Sequence, residues 1–380
     1  MVSLRIAILG TRGVPARYGG FETFAAELST RLAARGHRVS VYCRPVSDDP
    51  GRSWNGVERI VLPAVRGKYW ETVSHTLLSA IDAIRRPFDV VLVCNAANAF
   101  VLPLLRAARF PVAINVDGIE RNRRKWNVLG KAVYAIGESF SALFASRVIA
   151  DAEVIAAYYR KTYGIAPATI AYGADFPEEQ DSDVLERLGV RSRGYLLYVS
   201  RFEPENNPLE VVRACETLRR KRSDVPPLLM VGEGLYAPEL VAELSRHRSE
   251  HIRFPGALYG ADYRTLQRNA LIYIQATEVG GTHPALIEAM GSGGCVLCHD
   301  TSENREVGGP AVGYFGLGAA ETLSGTLSEC LDSPEKCETM RGAARERVAA
   351  RYSWLEITDG YEALFLQLAG RASVTHPSSP

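Results

Sequence analysis

Short unbroken apolar runs alternate along the chain with stretches whose apolar residues recur every three or four positions. Residues 4–9 (L-R-I-A-I-L) read as a strand. Residues 21–34 place Phe24, Leu28 and Leu32 on one helical face and stop at Gly36, and residues 38–43 (R-V-S-V-Y-C) form the next strand. Continuously apolar strands separated by helices predict a parallel sheet covered on both faces. The alternation continues with strands around Val91 and Ile114, a helix over residues 132–144 and a strand near Ile149. A polar stretch after Gly173, A-D-F-P-E-E-Q-D-S-D, reads as a linker.

Beyond it the pattern restarts. Residues 195–200 (Y-L-L-Y-V-S) and 227–232 (P-L-L-M-V-G) flank a helix over 209–218, and strands follow near Phe254, Ile272 and, last, over 295–298. Two such series predict two doubly wound α/β domains, and 380 residues suffice for both. The tail V-T-H-P-S-S-P is expected to be disordered.

Composition changes this picture little. With 47% hydrophobic and 23% charged residues the chain reads as an ordinary globular protein, and a formal charge of +1 gives no general attraction to nucleic acid. The first residues run straight into a strand with no signal-peptide pattern, and no apolar run reaches the ~18 residues of a membrane span. Seven cysteines without framework spacing fit a reducing compartment. The expectation is therefore a cytoplasmic protein, with peripheral contact at a membrane surface left open. Cys295 and Cys298 lie inside an apolar strand and read as buried thiols; the histidines form no H-E-x-x-H, so no metal is expected.

Candidate chemistry gathers where strands end. Residues 277–290, T-E-V-G-G-T-H-P-A-L-I-E-A-M, follow an apolar strand and become helical after Pro284, with Thr282 expected as the cap. The amides of such a helix start favour an anion. The loop over residues 10–20 is neither G-x-G-x-x-G nor a phosphate-binding Walker loop. It carries Arg12 and Arg17 and ends in Gly19-Gly20 at a helix start, where backbone can approach a phosphate or sugar closely. Asp117 and Arg201 each follow an apolar strand, at the carboxyl edge where open α/β sheets bind ligands. Arginine there suits phosphate oxygens. The basic stretch R-N-R-R-K-W (121–126) fits an anionic partner, a phosphate group or membrane surface, as well as a solvated face. D-S-D (181–183) reads as a helix cap rather than a metal-binding carboxylate pair.

Together these stretches resemble family-4 glycosyltransferases of the two-domain GT-B fold over nearly the whole chain. V-S-R-F-E-P-E-N-N resembles the family's strand-end arginine motif, V-G-E-G (231–234) its second glycine turn, and the 277–290 segment its paired-glutamate motif. G-T-R-G-V-P-A-R-Y-G-G-F-E-T-F and N-V-D-G-I-E-R-N-R-R-K-W resemble a narrower bacterial group that includes rhamnosyltransferases of cell-surface polysaccharide synthesis. The resemblance implies two Rossmann-like domains facing a cleft. These are residues 1–175, joined by a C-terminal helix over about 355–370, and residues 176–354, with 371–380 as the tail. It implies retaining, metal-independent hexosyl transfer, best assigned to rhamnose from dTDP-rhamnose, with no cofactor. A UDP- or GDP-hexose enzyme, a GT-B epimerase and a non-catalytic sugar-nucleotide binder are the alternatives. The expected partners are the nucleotide-sugar donor, a glycan or polyprenyl-pyrophosphate-linked acceptor and the membrane surface.

By the same resemblance Asp117, Glu278 and Arg201 are the catalytic candidates. Gly19, Gly20, Arg201, Asn206, Gly280, Gly281, Thr282 and Glu288 bind the donor, while Arg12, Arg17, Glu22, Arg123 and Arg124 lie on the acceptor and membrane side. The chain departs from the family in three places. Its glutamates are separated by nine residues rather than seven, putting Gly280 at the usual first-glutamate position. Asn206 replaces a common lysine, and His283 stands where the narrower group more often has asparagine.

Overall fold

The computed structural model describes all residues except 1, 17–18, 47–50, 66–69, 125, 175–181, 235–236, 319 and 372–380, and omits the side chains of 320–321. The chain divides into two compact units. Residues 1–121, 128–172 and 354–380 form the first, and residues 122–127 and 173–353 form the second.

In the first unit β1 (Arg5–Leu9) leads into α1 (Gly20–Ala34), β2 (Arg38–Cys43), β3 (Ser53–Trp54) and β4 (Val57–Val61). Then follow α2 (Trp70–Ala83), β5 (Val90–Cys94), a 3-10 helix (Ala96–Val101), α3 (Leu102–Ala107) and β6 (Val112–Asn115). After these come α4 (Val128–Phe144), β7 (Arg147–Ala150), α5 (Glu153–Tyr163) and β8 (Ala168–Thr169). The eight strands are ordered β3-β4-β2-β1-β5-β6-β7-β8. Every pairing is parallel except β3 with β4. Ala7, Leu9, Val91, Val93, Val112 and Ile114 supply one face of its core, the burial that their unbroken apolar runs predict.

The second unit contains α6 (Val184–Arg187), β9 (Leu196–Val199), α7 (Pro208–Lys221), β10 (Leu228–Val231), α8 (Pro238–Arg246) and β11 (Ile252–Gly256). It continues through α9 (Gly260–Asn269), β12 (Ile272–Gln275), α10 (Pro284–Gly291), β13 (Val296–His299) and α11 (Ser302–Gly308). It ends with β14 (Gly313–Phe315), α12 (Ala320–Asp332) and α13 (Pro334–Arg351). Its six strands run β11-β10-β9-β12-β13-β14, all parallel.

The last helix, α14 (Trp354–Leu368), returns to the first unit. Phe24 packs against Trp354 and Tyr361 with ring centroids 6.4 and 5.2 Å away, and Glu362 receives His37 at 2.8 Å. Strand 295–298 is not the last of its sheet, because β14 follows it and pairs with β13. The linker residues 175–181 and tail residues 372–380 lie outside the described residues; Arg371 pairs with Asp89 at 3.0 Å. Among the described residues no helix is long and apolar enough to cross a membrane.

Candidate functional site

In the second sheet β9 continues through α7 to β10 on one side, while β12 lies on its other side. The loops leaving the carboxyl ends of β9 and β12 therefore meet at a topological switch point, where open sheets form ligand crevices. Three hydrogen bonds lock these loops. Glu278 N–H donates to the Glu205 carbonyl at 2.9 Å, Asn207 Nδ2 donates to the Ala276 carbonyl at 2.9 Å, and Tyr198 OH donates to the Asn206 carbonyl at 2.8 Å. Arg201 stands here half-exposed, with Glu203 3.6 Å away. Asn206 is buried instead and donates to the Arg201 carbonyl at 2.7 Å. Its side chain ties the turn, so its expected donor contact is revised to support of the Arg201 loop.

Glu278 sits opposite Arg201's loop and is ion-paired with Arg124. Beside it, buried Arg123 lies 3.4 Å from fully buried Glu205. Residues 122–127 thus belong to the second unit, although the sequence reading kept them in the first domain. Arg123 and Arg124 pair with carboxylates of the second unit, Arg123 buried and Arg124 exposed, and a buried carboxylate such as Glu205 needs a cation beside it.

The helix after β12 begins one residue later than expected. Extended His283 (φ −84°, ψ 111°) occupies the cap position without a side-chain cap bond, and Pro284 opens α10. Thr282 is therefore buried ahead of the cap, because Pro284 fixes the helix start after His283. A Cβ on Gly280 would lie 2.2 Å from the His283 ring, so only glycine fits beside that imidazole. Burial, reinforced by Arg123, pushes His283 down to about 4 and keeps it neutral. Gly281 is buried in the same turn. One turn into α10, Glu288 accepts the Tyr263 hydroxyl at 2.6 Å. Burial first and Glu288 second raise Tyr263 far above its ordinary range, so it remains a donor. A carboxylate with about four acceptor positions can still receive further hydroxyls.

In the first unit the switch point lies between β1 and β5. Gly19 caps α1 and Gly20 begins it, leaving the helix start at this edge. Buried Glu22 reaches back to accept Arg12 N–H at 3.0 Å, so its role is to anchor the glycine loop. The Arg12 carbonyl in turn accepts Arg44 N–H at 2.9 Å. Arg17 lies outside the described residues. Asn98, which sequence reasoning missed, donates to Cys94 and Gly10 carbonyls at 2.8 and 3.2 Å and joins the two switch-point loops.

Asp117 follows β6, one strand beyond that point, in the left-handed region (φ 56°) that aspartate tolerates better than most residues. Its N–H donates to Asn115 Oδ1 at 3.0 Å, and Tyr172 OH lies 3.4 Å from its carboxylate. Asn115 Nδ2 also donates to Tyr361 OH at 2.8 Å, linking the aspartate turn to α14. Asn115 opens the N-V-D-G motif, which assigned it no role; Tyr172 lies in no motif, and its only sequence signal is polarity at the end of an apolar segment.

Cys295 and Cys298 are buried. Cys295, Cys330 and Cys337 bring their sulfur atoms within 4.8 Å of one another inside the second core, the described group with the donors for a thiophilic ion. Sequence spacing hides this group because the residue before β13 and two later helices, α12 and α13, supply it.

Two family models cover most of the chain: "Glycosyltransferase Family 4" over residues 18–175 and "Glycosyl transferases group 1" over residues 187–347. O-antigen chain mannosyltransferase B of Escherichia coli is 24% identical over 213 residues, which are 54% of this chain and 55% of that protein. The chain thus spans about half the length of this curated relative. Among solved structures, a sucrose-phosphate synthase from Thermosynechococcus elongatus matches with TM-score 0.84 at 19% identity, over 97% of this chain and 100% of that one. Anabaena HepE, solved in complex with UDP-glucose, matches with TM-score 0.77 at 17% identity, over 95% and 99% of the two chains.

Proposed function

The chain has the GT-B fold and carries two glycosyltransferase family domains, and from that premise we propose that it is a retaining sugar transferase. Its donor in this reading is a nucleotide-diphospho-sugar, and its acceptor is a glycan or lipid-linked sugar of cell-surface polysaccharide synthesis. The observation that carries the reading is the convergence, at one switch point, of Arg201, Glu278 and the start of α10 leading to Glu288.

Transfer breaks the bond between the sugar C1 and the diphosphate oxygen and forms one from C1 to the acceptor oxygen. Negative charge grows on the departing diphosphate. Fixed donors stabilise it there without reorganising, and Arg201 with the amides of the α10 start supplies them. Glu288, oriented by Tyr263, accepts the ribose hydroxyls, and Glu278 contacts the sugar. Arg124, held on Glu278, adds a cation to the same loop. In the first unit Asp117 takes or orients the acceptor proton, and Gly19-Gly20 admit the acceptor closely. No metal is assigned to this step, so transfer should persist in chelator.

Rhamnose from dTDP-rhamnose is the donor supported by the two narrower sequence motifs. A UDP-hexose is the second reading, favoured by the UDP-glucose complex of HepE. Titration calorimetry against dTDP-rhamnose, UDP-glucose, UDP-N-acetylglucosamine and GDP-mannose decides between them. Binding of dTDP-rhamnose that Arg201→Ala abolishes supports the first. Preference for another nucleotide discards rhamnose, and no binding of any donor sinks the transferase reading.

A further inference from the structure

Three segments of the second unit each bring one thiol to a single point of its core. Cys295 stands just before β13, Cys330 lies in the last turn of α12 and Cys337 in the first turn of α13. All three are buried, and their sulfur atoms lie within 4.8 Å of one another. Cys298, three residues beyond Cys295, falls on the other face of the strand and outside the group. Three sulfurs about 2.3 Å from one ion stand about 4.0 Å apart in a trigonal plane, a spacing within that bound. Cys337 Sγ also lies 3.4 Å from the Cys330 carbonyl, which folds the start of α13 onto the end of α12.

The surroundings favour thiolate. Cys337 sits at a helix start, where the dipole stabilises a negative sulfur. The Cys295 and Cys330 thiols first, then Arg341 and Lys336, hold it below the ordinary thiol range. Arg341, one turn along α13, is 5% exposed. Its Nη1 pairs with exposed Glu338 and its Nη2 donates to the Leu271 carbonyl at 2.7 Å. Its buried Nε has no hydrogen-bond partner among the described residues. Leu271 leads into β12, where the Tyr273 N–H donates to the Cys295 carbonyl at 2.8 Å. A core that needs only bulk gains nothing from a buried guanidinium near three thiols, whereas a thiolate cluster needs its charge offset.

We propose that Cys295, Cys330 and Cys337 bind one monovalent copper ion as a trigonal thiolate site. Donor chemistry selects the metal. No histidine or carboxylate of the described residues shares the spacing of the group. Met340, three residues beyond Cys337, adds only another soft sulfur to this core. Structural zinc takes four ligands in a tetrahedron, while a set of soft sulfurs suits monovalent copper. On binding, three copper–sulfur bonds form, the S–H protons pass to the buffer and the copper keeps its oxidation state. A disulfide would use two of the sulfurs and strand the third. The ion ties α12 and α13 to the amino end of β13. In this parallel sheet Arg201 and Glu278 follow strands at the opposite, carboxyl edge, so the copper serves the fold and takes no part in transfer.

Titration of the full chain with monovalent copper, reduced and anaerobic, against the chelator bicinchoninate tests the proposal. Wild type should take a single copper per chain, and X-ray absorption should show sulfur neighbours only. Cys330→Ala and Cys337→Ala, confirmed as folded by near-ultraviolet circular dichroism, should each lose the ion to the chelator. Cys298→Ala should hold it as wild type does. Copper should raise the unfolding temperature of wild type and leave both of the first two variants unchanged. Copper left wholly on the chelator by wild type overturns the proposal, as does retention by both Cys330→Ala and Cys337→Ala. A nitrogen or oxygen neighbour in the absorption spectrum, zinc held against added copper, or a disulfide within the group by intact mass also overturns it. Should either variant fail to fold, wild-type stoichiometry and the absorption spectrum decide.

Discussion

At the scale of single residues, the strongest test is the cation at the switch point. Losing a fixed donor to a developing charge costs about 3–4 kcal/mol of barrier, so Arg201→Ala, which also weakens donor binding, should lower kcat/KM by at least hundreds-fold. Asp117→Asn should lower turnover by about 10²–10⁴-fold with donor affinity intact, the signature of lost proton transfer. The Arg123–Glu205 pair makes a different prediction, because both groups are buried. Glu205→Ala removes the carboxylate beside a buried guanidinium and should cost about 3–5 kcal/mol in urea unfolding. The double variant Arg123→Ala/Glu205→Ala should recover part of that loss, and strict additivity would show that the pair is not coupled. His283 sets a pH dependence of stability. Its folded pKa, about 4, lies below the ordinary 6.5, so between these values the unfolded chain binds the extra proton. Stability from this group is complete above pH 6.5 and falls as the pH drops towards 4, by on the order of 1–3 kcal/mol. His283→Asn should flatten that window in chemical-denaturation curves. An unchanged slope would mean that the imidazole is not held neutral.

At the scale of elements, the buried parallel strands were legible because burial on both faces leaves an unbroken apolar run, as in residues 4–9 and 195–200. Strands β4, β8 and β14 were not. Val57–Val61 carries Glu58 and Arg59, while Ala168–Thr169 and Gly313–Phe315 are two and three residues long, too short for a period. The glycine turns and Glu288 were visible because their chemistry is local in sequence. What the sequence hid was contact over distance: Arg123 on Glu205, Tyr263 on Glu288, and Asn115 between Asp117 and Tyr361. Such pairs share neither spacing nor periodicity. The cap of α10 was misplaced by one residue because proline overrode the hydroxyl preference. The Asn115–Tyr361 bond yields a test at this scale. Tyr361→Phe leaves a buried amide donor unpaired, which should cost about 1–3 kcal/mol. If Asn115 positions the aspartate turn, the variant should also lower turnover without changing donor affinity. A stability loss with unaltered turnover would confine Tyr361 to packing α14.

At the scale of the whole molecule, each sheet has its own core and its own switch point, so ligand binding need not stabilise the two units equally. A ligand that binds only the native state stabilises it by RT ln(1 + [L]/Kd), about 2.7 kcal/mol at a hundredfold excess over Kd. The proposed assignment places the charged contacts to the nucleotide diphosphate, Arg201 and the start of α10, on the second unit. Hydrogen exchange of the full chain with saturating nucleoside diphosphate should therefore slow in the peptides spanning 196–207 and 276–291. Peptides spanning 5–16 and 90–101 of the first unit should exchange as in the free protein. Arg201→Ala should abolish the protection, because the cation that orders the β9 loop around the diphosphate is gone. Protection confined to the first unit would exchange the donor and acceptor sides of the proposal. Equal protection of both units would mean that the nucleotide is held jointly, and the separate assignment of Arg201 and Asp117 would have to be given up.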